Sequence, residues 1–294
     1  MVETVDAVEI ARLEEAARRI RVGVIRGVNQ AKAGHLGGPL SAAEVLAALY
    51  FRVMRIRPDE PDWPDRDRFI LSKGHSSIGL YAALALRGYF PVEEILTFDK
   101  LGSRLQGHPD MTRLPCLDMS TGSLGMGISA GVGIALGCRL AGRDARTFVM
   151  LGDGECQEGE VWEAAFVAPR YRLDNLIVIV DHNKLQQYGW AGEGPDGRLP
   201  PALPGELVAK WSAFGWRVLE VDGHDMGAVV RVLEEATVGD GRPVAIIANT
   251  IKGRGVSFME GRYYWHTRPM TADELVTAMA ELGEPVSSPA RVTA

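Results

Sequence analysis

Apolar positions recur at two spacings along this chain, and each spacing predicts an element. Over residues 8–29, Ile10, Leu13, Ala17, Ile20 and Val24 return at helical intervals with charged residues opposite, the signature of an amphipathic helix. Farther on, the pattern changes to short apolar runs at 147–151 (TFVML), 176–180 (LIVIV), 216–221 and 244–249. Runs of that length, rich in β-branched residues, suit strands buried on both faces. A helical segment at 76–87, closed by Gly88, precedes them, and helices at 207–214 and 226–237 are interleaved with them. Ser41, with Glu44 three residues on, reads as a capping box opening a further helix. This alternation predicts an α/β fold, a three-layer parallel sheet with helices on both faces. No Pro/Ser-rich linker interrupts it, so residues 1–294 are expected to form a single domain with an N-terminal helical segment, 1–57. The Gly/Pro-dense stretch 189–205 reads as a loop between elements.

Two of the strands end in chemistry. Gly152-Asp153-Gly154-Glu155 follows the first apolar run, and Asp181-His182-Asn183-Lys184-Leu185 follows the next. In a parallel sheet both would lie at the carboxyl ends of strands, where open α/β folds bind ligands. The glycines allow close approach of phosphate oxygens, and a helix expected to start near Gln157 would turn unpaired N–H groups toward an anion. Mg²⁺ takes oxygen ligands from few carboxylates, neutral oxygens, water and phosphate; Asp153, the Asn183 amide and the Leu185 carbonyl supply such a set.

At these residues the chain resembles the thiamine diphosphate enzymes, whose pattern is Gly-Asp-Gly, about thirty residues, then Asn. The likeness continues through GDGECQEGEVWEAA and DHNKLQ, and before them through KAGHLGGPLSAAEVLAALYF, RFILSKGHSSIGLYAAL, GHPD and TGSLGMGISAGVGIALG. In that order these segments resemble the amino-terminal half of transketolase. The resemblance implies a diphosphate-binding fold, thiamine diphosphate and Mg²⁺ as cofactors (Ca²⁺ or Mn²⁺ as substitutes), and the N-terminal subunit of a split, two-gene enzyme. It implies a partner subunit of about 300 residues resembling the carboxyl-terminal half, in an α₂β₂ assembly, because the glutamate that activates the aminopyrimidine belongs to that half. The expected reaction is transfer of a two-carbon ketol unit from a ketose or ketose phosphate to an aldehyde. The alternatives are a subunit of another thiamine diphosphate carboligase or decarboxylase, and a non-catalytic regulatory subunit.

Four of the six histidines follow glycine, at positions 35, 75, 108 and 224. By resemblance, His75 and His266 contact the diphosphate region, while His35 and His108 hydrogen-bond donor hydroxyls or move protons. Imidazole suits both tasks, since its pKa lies near neutrality. The backbone oxygens of Gly122 and Leu124 would face the aminopyrimidine ring, and Gly152, Asp153, Gly154, Glu155 and Asn183 complete the cofactor set. Glu158 and Glu163 read either as a solvated first helical turn or, by resemblance, as part of a carboxylate network facing the partner. Met126 and Thr267 depart from the family's usual Gln and Gly. Lys252 and Arg254 are a plausible anion contact or exposed charges, and rank below the histidines; His224 is assigned only a turn, and His182 could be a solvated loop residue. Gly131, Gly133 and Gly137 imitate a dinucleotide fingerprint, but no strand precedes them, so they read as a close-packed helix.

Composition excludes other classes. The net charge is −6 with scattered basic residues, so no nucleic-acid track is expected. No apolar run reaches membrane-spanning length and the start has no signal-peptide core, which leads to a cytoplasmic expectation. Cys116, Cys138 and Cys156 are too widely spaced for zinc or a disulfide framework, and Cys156 reads as packing rather than a nucleophile.

Overall fold

The computed structural model describes residues 5–187 and 206–286. The loop expected at 189–205 lies outside the described residues. Five strands, β1 (Arg68–Leu71), β2 (Thr147–Gly152), β3 (Leu176–His182), β4 (Arg217–Asp222) and β5 (Val244–Asn249), form one sheet in the order β1-β2-β3-β5-β4, and every pairing is parallel. Thr147 pairs with Leu176 and Ile177 with Val244, so the central three strands are in step. β1 is an addition to the sequence reading: only four residues long and opened by Arg68, it shows too little periodicity to stand out.

Side chains of the central strands alternate between two cores, as a two-residue period requires. Phe148, Met150, Ile177, Ile179 and Ile246 point into a core shared with α1 (Ala7–Ala31), α2 (Gly37–Ser41), α3 (Ala43–Ala48), α4 (Ser77–Arg87), α8 (Met226–Ala236) and α9 (Ala272–Glu281). Val149, Leu151, Val178, Val180 and Ile247 point the other way, against α5 (Met126–Leu140), α6 (Gly159–Arg170) and α7 (Glu206–Ala213). Each such side chain, fully buried, contributes about 1.5–3 kcal/mol. Both faces of the sheet are thus covered by helices, and the expected α/β architecture is present.

α1 runs two residues beyond the expected range; Asp6 caps it by accepting from Glu9 N at 2.8 Å, and its buried stripe includes Leu13, Ala17, Ile20 and Val24. α4 stops at Gly88, whose φ of 101° suits glycine. The capping box expected at Ser41 and Glu44 is not formed. Ser41 ends α2, its hydroxyl bonded to Gly38 O at 2.9 Å and Asp181 Oδ2 at 2.6 Å, and Glu44 binds Arg21 instead. A capping box forms elsewhere, at Thr271 and Glu274 before α9. α6 starts at Gly159, later than expected, because a 3₁₀ turn at Glu155–Gln157 intervenes. No described helix is long and apolar enough to cross a membrane.

Candidate active site

Because all strands run the same way, their carboxyl ends meet along one edge of the sheet, and the site is built there. β1 delivers Lys73, β2 delivers Gly152-Asp153-Gly154, β3 delivers Asp181 and Asn183, and β5 leads to Thr250 and Lys252. Of these, Lys73, Gly152, Asp153, Gly154 and Asn183 line a cavity of about 340 Å³, and Asp181, Thr250 and Lys252 lie buried behind its wall. His35, His75, His108 and His266 line it together with Gly122, Leu124, Gly152, Asp153, Gly154, Glu155, Asn183 and Leu185. The His35 ring lies 5.0 Å from His75 and 4.9 Å from His266, with His108 at 6.4 Å. Four imidazoles spread over 231 residue positions therefore share one wall of one cavity.

Beneath them lies the floor. Asp181 is fully enclosed and makes a 2.5 Å ion pair with buried Lys73, while Ser41 and Thr250 also donate to its carboxylate. Burial alone would push this carboxyl up, but Lys73 holds it below the ordinary carboxylate range. Asn183 donates Nδ2 to Asp181 Oδ2 at 3.1 Å, and its Oδ1 accepts from Leu185 N at 3.2 Å. Asp153 accepts from Gly154 N at 2.8 Å and Lys184 N at 2.5 Å. Burial, reinforced by nearby Asp181, pushes the Asp153 carboxyl up to about 6. One carboxylate, one amide oxygen and the Leu185 carbonyl are hard donors that suit Mg²⁺ completing its octahedron with phosphate and water. Among the described residues no three His, Cys, Asp or Glu side chains gather around a metal position, as a site with a single carboxylate entails.

Residues 13–293 match the family model described as "Transketolase, thiamine diphosphate binding domain". A 6-deoxy-6-sulfo-D-fructose transketolase subunit of Clostridium sp. is 46% identical over 92% of this chain and 96% of its own length. An apulose-4-phosphate transketolase subunit of Phocaeicola vulgatus is 39% identical, covering 94% of this chain and 95% of that one. Transketolase from Pichia stipitis, solved with sedoheptulose-7-phosphate, superposes with a TM-score of 0.84 at 33% identity over 93% of this chain, and the match spans only 41% of that longer chain. This chain belongs to the transketolase thiamine diphosphate-binding family. It is a transketolase-type subunit of the N-terminal kind, with the length of the separately encoded relatives.

The electrostatics of the site are governed by burial and by two lysines. Burial lowers the His35 imidazole to about 4 and His266 to about 3, and His75 falls farther, with Lys73, Lys252 and the neighbouring rings adding to the effect. All three rings are neutral near pH 7. Lys252, 2% exposed, is pulled down by burial to about 8. Its Nζ lies 3.0 Å from His266 Nδ1 and reaches the Leu185 and Gln186 carbonyls at 3.4 and 3.2 Å. As Nδ1 of His266 accepts from an ammonium, the ring's proton sits on Nε2.

Lys252 is therefore no exposed charge and ranks with the histidines; Arg254 pairs with Glu260 at 3.3 Å. Glu155 lines the cavity but both oxygens are committed, to Ser72 Oγ (2.5 Å), Gly125 N (2.9 Å) and Gly152 N (3.0 Å). It ties the loop at Gly125 to the Gly-Asp-Gly turn. Gly125 has a φ of 85° and its Cβ position would lie 2.9 Å from Glu158 Cβ, so only glycine fits there. Glu158 and Glu163 are exposed and absent from the cavity wall. His182 belongs to β3, not to a loop, and bonds Asn249 Oδ1 through Nδ1 at 3.2 Å. Cys156 is buried and its thiol is pushed up by burial, in keeping with packing. Lys73, Gly38 and Asp181 were missed as site residues. Lys73 was readable only as the second residue of SKGH, directly after a strand too short to notice.

Proposed function

We propose that this chain is the Mg²⁺- and diphosphate-binding subunit of a heteromeric transketolase that moves a two-carbon ketol unit from an anionic ketose to an aldehyde. The observation that carries the reading is the juxtaposition, in one cavity, of the Asp153–Asn183–Leu185 oxygen set with the His35, His75, His108 and His266 cluster. Relatives of nearly equal length are named for a sulfonated and a phosphorylated ketose, which supports an anionic donor.

Thiamine diphosphate supplies, when bound, a carbon nucleophile that also serves as electron sink. The residues of this chain bind, orient and move protons. Asp153, Asn183 and Leu185 hold Mg²⁺; Lys252, Lys73, His75 and His266 turn positive charge and N–H groups toward the diphosphate. Gly152 and Gly154 let the backbone approach it closely, and Gly122 and Leu124 offer carbonyls to the aminopyrimidine. Neutral His35 and His108 accept or donate hydrogen bonds at the hydroxyls of the ketose, and can hold a proton in transit. An anion in the cavity opposes the field of the lysines and raises the histidine pKa values toward working range.

Residues 1–294 act as a single diphosphate-binding domain in the cytoplasm, and the activating glutamate comes from a partner of about 300 residues in an α₂β₂ complex. Glu158 and Glu163, on the exposed side, face that partner. The test is reconstitution: the chain is assayed alone and after co-purification with its partner, with ketose phosphate and pyruvate offered separately. Turnover of the ketose only in the complex is the expected result. Full activity of the isolated chain, or turnover of pyruvate alone, would overturn it.

A further inference from the structure

We propose that His224 is a positioning residue for this site, holding in place the segment that carries Lys252; this rests on the cavity being the cofactor site. His224 lies in the turn after β4, where its backbone N donates to Asp222 Oδ1 at 2.9 Å. A turn would account for that bond alone. The side chain does something separate: it is buried, 8% exposed, and bridges three elements. Ile251 N donates to its Nε2 at 2.8 Å, so that nitrogen carries no proton. The proton therefore sits on Nδ1, which faces Glu44 Oε2 at 3.2 Å. Both oxygens of Glu44 accept from Arg21 Nη2, at 2.7 and 2.6 Å, and Arg21 Nε donates to Leu40 O at 3.2 Å in the helix that bears Gly38.

The relay thus runs from α1 through α3 to the backbone one residue before Lys252. On the other side of that lysine, Gly253 N donates to Gly37 O at 3.0 Å. Lys252 is pinned between these two anchors, and its ammonium touches His266 and the Leu185 carbonyl, a proposed metal ligand. Ile251 is 37% exposed, so the segment lies at the surface rather than in the core. The penalty for losing His224 therefore falls on the position of Lys252 more than on the fold. Outer partners of this kind orient the groups that touch a metal or an anion.

Two substitutions separate positioning from bulk stability. Gln places its amide oxygen near the Nε2 position and can still accept from Ile251 N; Asn reaches only the Nδ1 position and keeps Glu44. In the assembled complex, apparent constants for thiamine diphosphate and Mg²⁺, kcat at saturating cofactor, and thermal midpoints are measured for the parent, His224→Gln and His224→Asn. We expect His224→Asn to raise the cofactor constants about tenfold, with kcat at saturation within about twofold of the parent. His224→Gln should restore the constants to within about threefold of the parent despite losing Glu44. Equal constants for the two variants, or lowered midpoints with unchanged constants, would make His224 a purely structural residue and overturn the proposal. Asp153→Ala in the same assay reports on the cavity itself: retained cofactor binding there overturns the site reading and this proposal together, whereas lost binding there leaves the Asn/Gln comparison to judge His224 alone.

Discussion

Asp153 is placed where a charged carboxylate is costly, since burial and Asp181 both raise its pKa and only backbone N–H groups and the distant charge of Lys252 oppose them. A divalent cation removes that cost. Asp153→Ala is therefore expected to raise the apparent Mg²⁺ and cofactor constants of the assembled enzyme by about two orders of magnitude or more, read by titration of cofactor binding; unchanged affinity would end the metal assignment. The histidines give a second prediction at this scale. Their folded pKa values lie below the ordinary 6.5, at about 4 for His35 and about 3 for His266, because the buried rings resist charging. Unfolded, they bind protons first, so the stability they contribute is present above pH 6.5 and is lost as pH falls toward those values. Asp181, held low by Lys73 against its burial, acts in the same direction, and Asp153, raised to about 6, acts in the opposite one. The urea midpoint of the chain should fall between about pH 7 and about pH 5, and less steeply in His35→Asn. A flat profile would contradict the burial of these rings. The histidines were legible in the sequence because each sits in a distinctive Gly-His or Trp-His phrase. Lys73 and Lys252 were not, since what matters for a lysine is burial, and burial is set by elements far off in the chain, 108 residues away in the Lys73–Asp181 pair and farther where Lys252 packs on Gly37.

At the scale of elements, periodicity found most of the strands and helices that pack on the two cores and overlooked β1 and α9. It misread Ser41, whose hydroxyl is drawn to a buried carboxylate 140 residues away, a competition that no local pattern records. Of the α5 glycines read as packing, Gly131 packs and Gly133 and Gly137 do not. A Cβ on Gly131 would lie 2.4 Å from Val149 Cγ2, so this helix lies directly on β2, whereas Gly133 faces open space. Two substitutions of the same chemistry should consequently have opposite signs. Gly131→Ala should destabilise by about 1–3 kcal/mol through overpacking, and Gly133→Ala should stabilise by about 0.5–1 kcal/mol through helix propensity. Chemical denaturation of the two variants checks the pair. A stabilised Gly131→Ala would show that α5 stands off the sheet.

At the scale of the whole molecule, apolar side chains stand in water at Leu124 and Met126, on the rim beside the cavity, and along α6, whose N-cap Glu158 adjoins Gly125. Leu124 is 38% exposed, Met126 43% and Phe166 53%, the last on the same helix as exposed Glu163 and stacked 4.3 Å beneath the Arg170 guanidinium. Leu124 also lines the cavity, so whatever covers this rim closes the site. Under the proposed function the partner's activating glutamate would enter there, and aromatic and apolar anchors ringed by charge are the usual carriers of association energy. Phe166→Asp removes the anchor without touching the cavity wall, and because the ring is half in water the fold should tolerate it. Its thermal midpoint alone should stay close to that of the parent. Its affinity for the partner subunit should weaken by about thirtyfold or more, the effect of losing about 2 kcal/mol, and activity should return as partner concentration is raised. Mass action distinguishes this from damage to the site: a variant that binds partner normally yet turns over slowly would place the partner elsewhere and give Phe166 a role inside the reaction. Recovery of full turnover at saturating partner would mean that the rim joins two halves of one active site, neither sufficient alone.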